Sequence, residues 1–170
     1  MKTALISVYY KDGIIEFAQE LIDLGWNILA SNGTAKILTE AGFAVQSVNE
    51  VVGAPILGHR VVTLSREIHA GLLSKDEDAD ELNNSGIKKI DLVCVDFYPL
   101  KEEIKNSGCT RESVIEKTDI GGPALLRSAA KGRRIIVGDP EDRKKVLEWL
   151  KSGEPEKEKF LDFLAAKAEY

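Results

Sequence analysis

The chain has few of the residues that build metal centres or disulfide frameworks. Its 170 residues include two cysteines, Cys94 and Cys109, and two histidines, His59 and His69, and no CxxC pair. Structural zinc sites need clustered cysteine and histidine ligands, and small secreted domains are dense in cysteine. We therefore expect neither a zinc site nor a disulfide scaffold, and the low cysteine content favours a reducing cytoplasm.

Long apolar runs and an excess of positive charge are also missing. The first residues, MKTALISVYYKDG, hold too short an apolar run for a signal peptide, and no stretch approaches the roughly 18 apolar residues of a membrane span. With 23 basic and 28 acidic residues the net charge is −5. The chain as a whole therefore has no electrostatic attraction to nucleic acid or to an anionic membrane.

Short apolar segments alternate along the chain with segments of helical periodicity. The patterns predict strands at residues 4–9, 26–30, 43–48, 90–96 and 133–138 and helices at 14–24, up to 40, 75–85, 111–117, up to 131, 141–151 and 155–169. Residues 50–75 are predicted to be irregular. This alternation predicts a three-layer α/β/α fold with a mostly parallel five-stranded sheet and right-handed crossovers.

Ligands of such sheets bind beyond the carboxyl ends of the strands. The segment SNGTAK at 31–36 follows a strand, and Ser31, Gly33, Thr34 and the free N–H groups of the next helix are suited to a phosphate. Lys11, close to Ser7, follows the first strand and adds positive charge. Each feature alone is more typical of a Thr-capped turn or a solvated lysine. Because adjacent strands bring both loops together, a phosphate pocket becomes as well supported as these structural roles.

The segment TDIGGPALLRSAAK at 118–131 pairs an acid with a base. Asp119 precedes two glycines, which allow backbone to approach a ligand closely. Asp119 is either a helix cap or a general base, and Lys131 is either a partner of the helix dipole or a catalytic cation. Tyr98 follows the strand IDLVCVD and is expected nearby.

The segment HRVVTLSR at 59–66 carries further polar side chains. The guanidinium of Arg60 can bind a phosphate through two hydrogen bonds, and Thr63 adds a hydroxyl. His59 and His69 titrate near neutral pH, although structural or surface roles are more usual for isolated histidines.

Four segments together resemble one known family. SVYYKDGIIEFAQELIDLGWNILASNGTAKILTEAG resembles the start of the IMP cyclohydrolase domain of the bifunctional purine biosynthesis enzyme, and LGHRVVTLSREIHAGLL, DLVCVDFYPL and TDIGGPALLRSAAK follow in the family's order. They extend over almost the whole chain. The resemblance implies a methylglyoxal-synthase-like fold, with residues 1–170 as a single IMP cyclohydrolase-like domain.

The resemblance also implies an activity. That activity is closure of 5-formamidoimidazole-4-carboxamide ribonucleotide (FAICAR) to IMP with loss of water, the last step of de novo purine biosynthesis. It implies a homodimer and no cofactor or metal. The match stops where the family's AICAR formyltransferase domain would begin. Formyl transfer is therefore not expected of a stand-alone or excised domain, and a separate AICAR formyltransferase becomes a candidate partner.

The resemblance implies specific residue roles. Asp119 would take the carboxamide proton, Lys131 would stabilise charge, and Tyr98 would position the substrate or donate to it. Gly121 would contact the ligand through its backbone. The residues implied for the 5′-phosphate and ribose are Ser7, Lys11, Ser31, Gly33, Thr34, Arg60 and Thr63.

Five departures from the family pattern affect the site. Two of them are Asn32-Gly33, where Gly-Gly is usual, and Gly132, where Asn is usual. Val62 stands where the family usually has a catalytic Lys, and valine carries no charge and donates no side-chain hydrogen bond. Ser65 and Arg66 stand where His-Pro is usual, and Asp96 stands where Asn is usual. Our hypothesis is that Arg66 supplies the missing cation.

Two alternative functions share the expected fold. One is a non-catalytic regulatory domain that binds a phosphorylated metabolite, as in carbamoyl-phosphate synthetase, and the loss of a Lys at Val62 favours it. The other is methylglyoxal synthase, which TDIGGPALLRSAAK fits poorly. The presence of Tyr98, Asp119 and Lys131 together favours the cyclohydrolase, because phosphate binding alone does not need that set.

Overall fold

A five-stranded sheet forms the centre of the computed structural model, which describes residues 1–58 and 60–169. Its strands are β1 (Thr3–Ser7), β2 (Asn27–Ala30), β3 (Val45–Ser47), β4 (Leu92–Val95) and β5 (Ile135–Val137). The order is β3-β2-β1-β4-β5, and every neighbouring pair is parallel. The predicted parallel sheet is confirmed.

The central strands are mainly apolar and largely buried. Leu5 of β1 lies opposite Leu29 of β2 and Val93 of β4, and all three side chains are buried. Continuous burial is typical of a parallel strand that is covered on both faces. The carboxyl ends of β1, β2 and β4 therefore open at one edge of a rigid core.

Helices cover the two faces of this sheet. They are α1 (Ile14–Asp23), α2 (Asn32–Glu40), α3 (Val48–Val52), α4 (Arg66–Leu73), α5 (Ala79–Asn84), α6 (Leu100–Lys105), α7 (Arg111–Glu116), α8 (Gly121–Lys131), α9 (Asp142–Lys151) and α10 (Lys157–Glu169). Helix α1 packs with α2 and α9, whereas α8 packs with α4 and α10. In the part of the chain described, no helix combines the length and apolar character needed to cross a membrane.

The segment 50–75 differs from the prediction of an irregular region, because it contains α4 and the end of α3. Ser65 caps α4 by accepting the N–H of Ile68 at 3.2 Å. Ile68 and Leu72 are buried, and a Cβ at Gly71 would stand 2.5 Å from the Lys88 carbonyl oxygen. Tertiary packing therefore stabilises a helix of eight residues that would be marginal in isolation.

Candidate functional site

A cleft of about 890 Å³ opens at the carboxyl ends of β1, β2 and β4. This is the edge at which parallel sheets bind ligands. Of the predicted site residues, the cleft brings together Ser7, Lys11, Ser31, Gly33, Arg60, Thr63, Tyr98, Asp119 and Gly121. Residues far apart in the sequence thus share one concave surface.

One side of the cleft, the strand-end wall, consists of residues 7–11, 31–34 and 96. Thr34 lies behind its surface and is fully buried. The Thr34 hydroxyl is 3.3 Å from Lys11 Nζ and 3.5 Å from Ser31 Oγ, and Lys11 also donates to the carbonyl oxygen of Val8. Thr34 therefore joins the two strand-end loops rather than capping a helix.

The strand-end wall includes the N-terminus of α2. Ser31 occupies the N-cap without a side-chain hydrogen bond to the helix, and Ser31, Asn32 and Gly33 line the cleft. The first N–H groups of a helix have no acceptor within it and carry partial positive charge. This geometry suits an anionic group such as a phosphate.

Asp96 and Arg143 form a buried ion pair beneath this wall. Their side chains are each 9% exposed, with 3.7 Å between Asp96 Oδ2 and Arg143 Nη2. Asp96 also accepts the N–H of Tyr9, and Arg143 donates to the carbonyl oxygen of Asp12 at 2.6 Å. The pair therefore holds the loop after β1 in place.

Burial shifts the pKa values of Asp96 and Lys11, the two charged groups of this wall. Burial raises the pKa of Asp96, against the opposing effects of backbone N–H groups, Arg143 and Lys11. Burial lowers the pKa of Lys11, and the Asp96 charge opposes that shift. Because Arg143 compensates Asp96, the positive charge of Lys11 remains available to a ligand.

The opposite side, the helix wall, consists of residues 97–98 and 115–122. Asp119 Oδ1 accepts the N–H of Gly122 at 2.8 Å, so this carboxylate caps α8. A Cβ at Gly122 would stand 2.7 Å from Phe97 Cδ1. A Cβ at Gly121 would stand 2.9 Å from the Thr63 hydroxyl. The two glycines thus allow three segments to meet at the cleft.

Tyr98 lies on the helix wall among aromatic and charged groups. Its ring packs edge-on against Tyr9, with 5.6 Å between the centroids. The Lys117 ammonium is 5.3 Å from the Tyr9 centroid and 5.7 Å from that of Tyr98. Burial raises the pKa of Tyr98, and the charges of Asp119 and Glu116 raise it further. Tyr98 is therefore protonated at neutral pH and is able to donate a hydrogen bond.

Two predicted catalytic cations, Lys131 and Arg66, are not among the described residues that line this cleft. Lys131 is the last residue of α8, about 15 Å along the helix from Gly121 at 1.5 Å per residue. Arg66 begins α4, where its side chain is 85% exposed and 3.4 Å from Glu67. Helix α8 thus carries Lys131 away from the cleft, whereas Arg66 stands two residues after the cleft-lining Leu64 without being in the lining itself. The catalytic roles of both cations stay predictions. Val62, by contrast, does line the cleft.

His69 is not among the described residues that line the cleft. His69 Nδ1 is 2.9 Å from the Ser128 hydroxyl, which joins α4 to α8, and burial lowers the pKa of His69. His59 lies outside the described residues.

Sequence reasoning missed Lys117 and Arg143. Lys117 stands two residues before Asp119, so its closeness to that motif was the available signal. Arg143 carries no such signal, because a basic residue early in α9 is typical of an exposed helix face.

The comparisons with known proteins agree with this architecture. A family model described as "MGS-like domain" matches residues 13–124. The bifunctional purine biosynthesis protein PurH of Lysinibacillus sphaericus is 48% identical over 158 residues, which are 89% of this chain and 31% of that protein. PurH of Aquifex aeolicus is 46% identical over 88% of this chain and 31% of its own length. This chain thus spans about a third of these relatives.

A solved structure is similar over nearly the whole chain. The crystal structure of ForH matches with a TM-score of 0.83 and 36% identity, covering 99% of this chain and 89% of that one. The likeness therefore includes α9 and α10, which lie beyond the segment matched by the family model.

Proposed function

Because this chain belongs to the MGS-like domain family, and because relatives named as purine biosynthesis proteins match it, we propose that it is an IMP cyclohydrolase of purine biosynthesis. One observation carries the proposal. A wall suited to phosphate faces a second wall that presents Tyr98 and Asp119 in the same cleft. A phosphate site alone needs only the first wall.

The strand-end wall would bind the 5′-phosphate of FAICAR. The N-terminus of α2 supplies N–H donors, and Lys11 supplies the neighbouring positive charge. Ser7 and Ser31 add hydroxyls from the same lining. Arg60 and Thr63 reach the cleft from the loop before α4, where they would contact phosphate or ribose.

The helix wall would carry out ring closure. The carboxamide nitrogen bonds to the formyl carbon while a base accepts its proton, and negative charge develops on the formyl oxygen. Asp119 is the base in this scheme. One of its oxygens caps α8, but a carboxylate has capacity for further hydrogen bonds. Protonated Tyr98 would donate to the substrate.

The proposal extends to the organisation of the protein. Residues 1–170 would act as one cyclohydrolase domain, form a homodimer, and use no metal or cofactor. A separate AICAR formyltransferase would supply the formylated substrate. Lys131 is outside the described lining of the cleft in the single chain. Its proposed role would therefore require the homodimer to bring it to a site.

A direct assay tests this function. The purified chain is mixed with FAICAR in the presence of a chelator, and IMP is followed by absorbance and chromatography. We expect IMP to form much faster than in a matched sample without protein. The proposal is rejected if wild-type protein leaves FAICAR unchanged.

One observation favours a second candidate. Val62 puts an uncharged side chain in the lining of the cleft, and a regulatory domain that binds a phosphorylated metabolite has no need of a catalytic cation there. Titration with IMP separates the two functions. Binding without closure of FAICAR would support the regulatory domain, and absence of both would reject both.

A further inference from the structure

The helix wall contributes two acidic side chains to the described lining of the cleft. Of the described residues that line the cleft, the cations are Lys11 and Arg60, whereas Glu116 and Asp119 both belong to the helix wall. Lys11 contacts Val8 and Thr34 at the strand-end wall. The proposed reaction places negative charge on an oxygen near Tyr98 and Asp119, where a nearby cation would lower the barrier.

Lys117 lies beside the lining of this wall, where it contacts two tyrosines of the cleft without itself being among the described lining residues. It follows the last residue of α7, and its side chain is half-buried whereas Glu116 and Thr118 are exposed. Its ammonium lies over two tyrosine rings that line the cleft, 5.3 Å from the Tyr9 centroid and 5.7 Å from that of Tyr98. Cation–π attraction at such distances holds a flexible lysine in place.

We propose that Lys117 is a further catalytic residue, whose ammonium stabilises the negative charge that develops on the formyl oxygen during ring closure. The proposal rests on the proposed function. The four-carbon stem of lysine allows its ammonium to move from the ring faces to a bound substrate. Arg66, the earlier candidate for this role, is exposed and beside Glu67.

The chemical step balances without any co-reactant. The carboxamide nitrogen loses one hydrogen when it bonds to the formyl carbon. The formamido nitrogen loses a second hydrogen on dehydration, and both leave with the formyl oxygen as one water. Lys117 keeps its proton throughout and acts only through its charge.

Steady-state kinetics of charge-removing and charge-retaining variants test this role. Lys117→Met keeps an unbranched stem over the tyrosines and removes the charge. We expect kcat to fall about 100-fold, the size seen when one group that stabilises an oxyanion is removed, while KM changes less than threefold. Lys117→Arg should restore at least a tenth of wild-type kcat. Lys105→Met, which removes an exposed lysine at the end of α6, should match wild type.

The alternative is that Lys117 only clamps α7 to the two tyrosines. In that case Lys117→Met would lower the melting temperature. Lys117→Arg would then recover kcat only to the extent that it also recovers the melting temperature. That result, or wild-type kcat in Lys117→Met, would overturn the proposal. If Lys117→Met does not fold, Lys117→Gln is measured by the same criteria. Failure of the wild-type protein to close FAICAR rejects the proposed function itself and, with it, this role.

Discussion

The two walls of the cleft are built in different ways. At the strand-end wall the supporting side chains are buried and bonded to one another: Thr34 is fully buried, and the Asp96–Arg143 pair is 9% exposed on each side. On the helix wall Ile120 is 62% exposed and Tyr98 is 38% exposed. The wall proposed to bind phosphate is preorganised by the core, whereas the wall proposed for chemistry lies on short, exposed elements, as mobile functional segments commonly do.

This difference follows from the chain's topology. Strands β1, β2 and β4 are neighbours in the sheet, so their loops meet without help from distant segments. The helix wall instead depends on the turn after β4 and on the segment from the end of α7 to the start of α8. Substitutions on the helix wall should therefore change turnover, and substitutions at the strand-end wall should change stability or binding.

The largest expected effect is on turnover, from Asp119→Asn. Asparagine still caps a helix as well as aspartate does, but it cannot accept the carboxamide proton. We expect kcat for ring closure to fall by about 100-fold to 10,000-fold, the usual contribution of a general base. The dissociation constant for IMP and the melting temperature should stay close to wild type, as measured by calorimetry and thermal unfolding. If IMP binding weakens as much as turnover, Asp119 is a structural cap.

The next effect is on stability, from Arg143→Met. This change leaves the carboxyl of Asp96 buried without its cationic partner and removes the hydrogen bond to the carbonyl oxygen of Asp12. Removing one member of a buried pair should lower the free energy of unfolding by about 3 kcal/mol, as measured by urea denaturation. Lys144→Met is the matched control, since Lys144 is adjacent and 86% exposed. Equal stability of the two variants would show that the pair does not support this wall.

The smallest effect is on ligand affinity, from Asp96→Asn. Asparagine can still accept the N–H of Tyr9 but removes a negative charge near Lys11. We expect IMP to bind about threefold more tightly, in line with a partly screened Coulomb interaction. Weaker binding measured by calorimetry would show that the carboxylate itself, rather than its hydrogen bond, maintains the wall.

The same variant gives a pH signature. Burial raises the pKa of Asp96 in the folded protein, so between the unfolded and folded pKa values the unfolded chain binds fewer protons. The Asp96 contribution to the free energy of unfolding therefore decreases as pH rises from about 4, the usual aspartate value. The stability of Asp96→Asn relative to wild type should increase over the same pH range. A constant difference would contradict the direction of this shift.

The sequence predicts the sheet and the loops at its edge better than it predicts side-chain positions. Most strands are short, mainly apolar segments, and their parallel order follows from alternation with helices. By contrast, α4 depends on close packing at Gly71, which no local pattern reveals. Lys131 and Arg66 were grouped with the site by motif, yet neither is in the described lining of the cleft. Lys131 lies at the far end of α8, and the Arg66 side chain is 85% exposed. The tyrosine contacts of Lys117 and the ion pair of Arg143 depend on residues far apart in the sequence.

The crowding around Gly122 is a requirement of the fold and not of the proposed reaction. Any side chain there would displace the ring of Phe97, whatever molecule the cleft holds. Descendants that change their substrate, or lose catalysis altogether, would therefore be expected to keep the glycine pair. A search that relies on those glycines would recover proteins of the same shape with different reactions, and the acid, the tyrosine and the lysine beside it would be the residues that tell them apart.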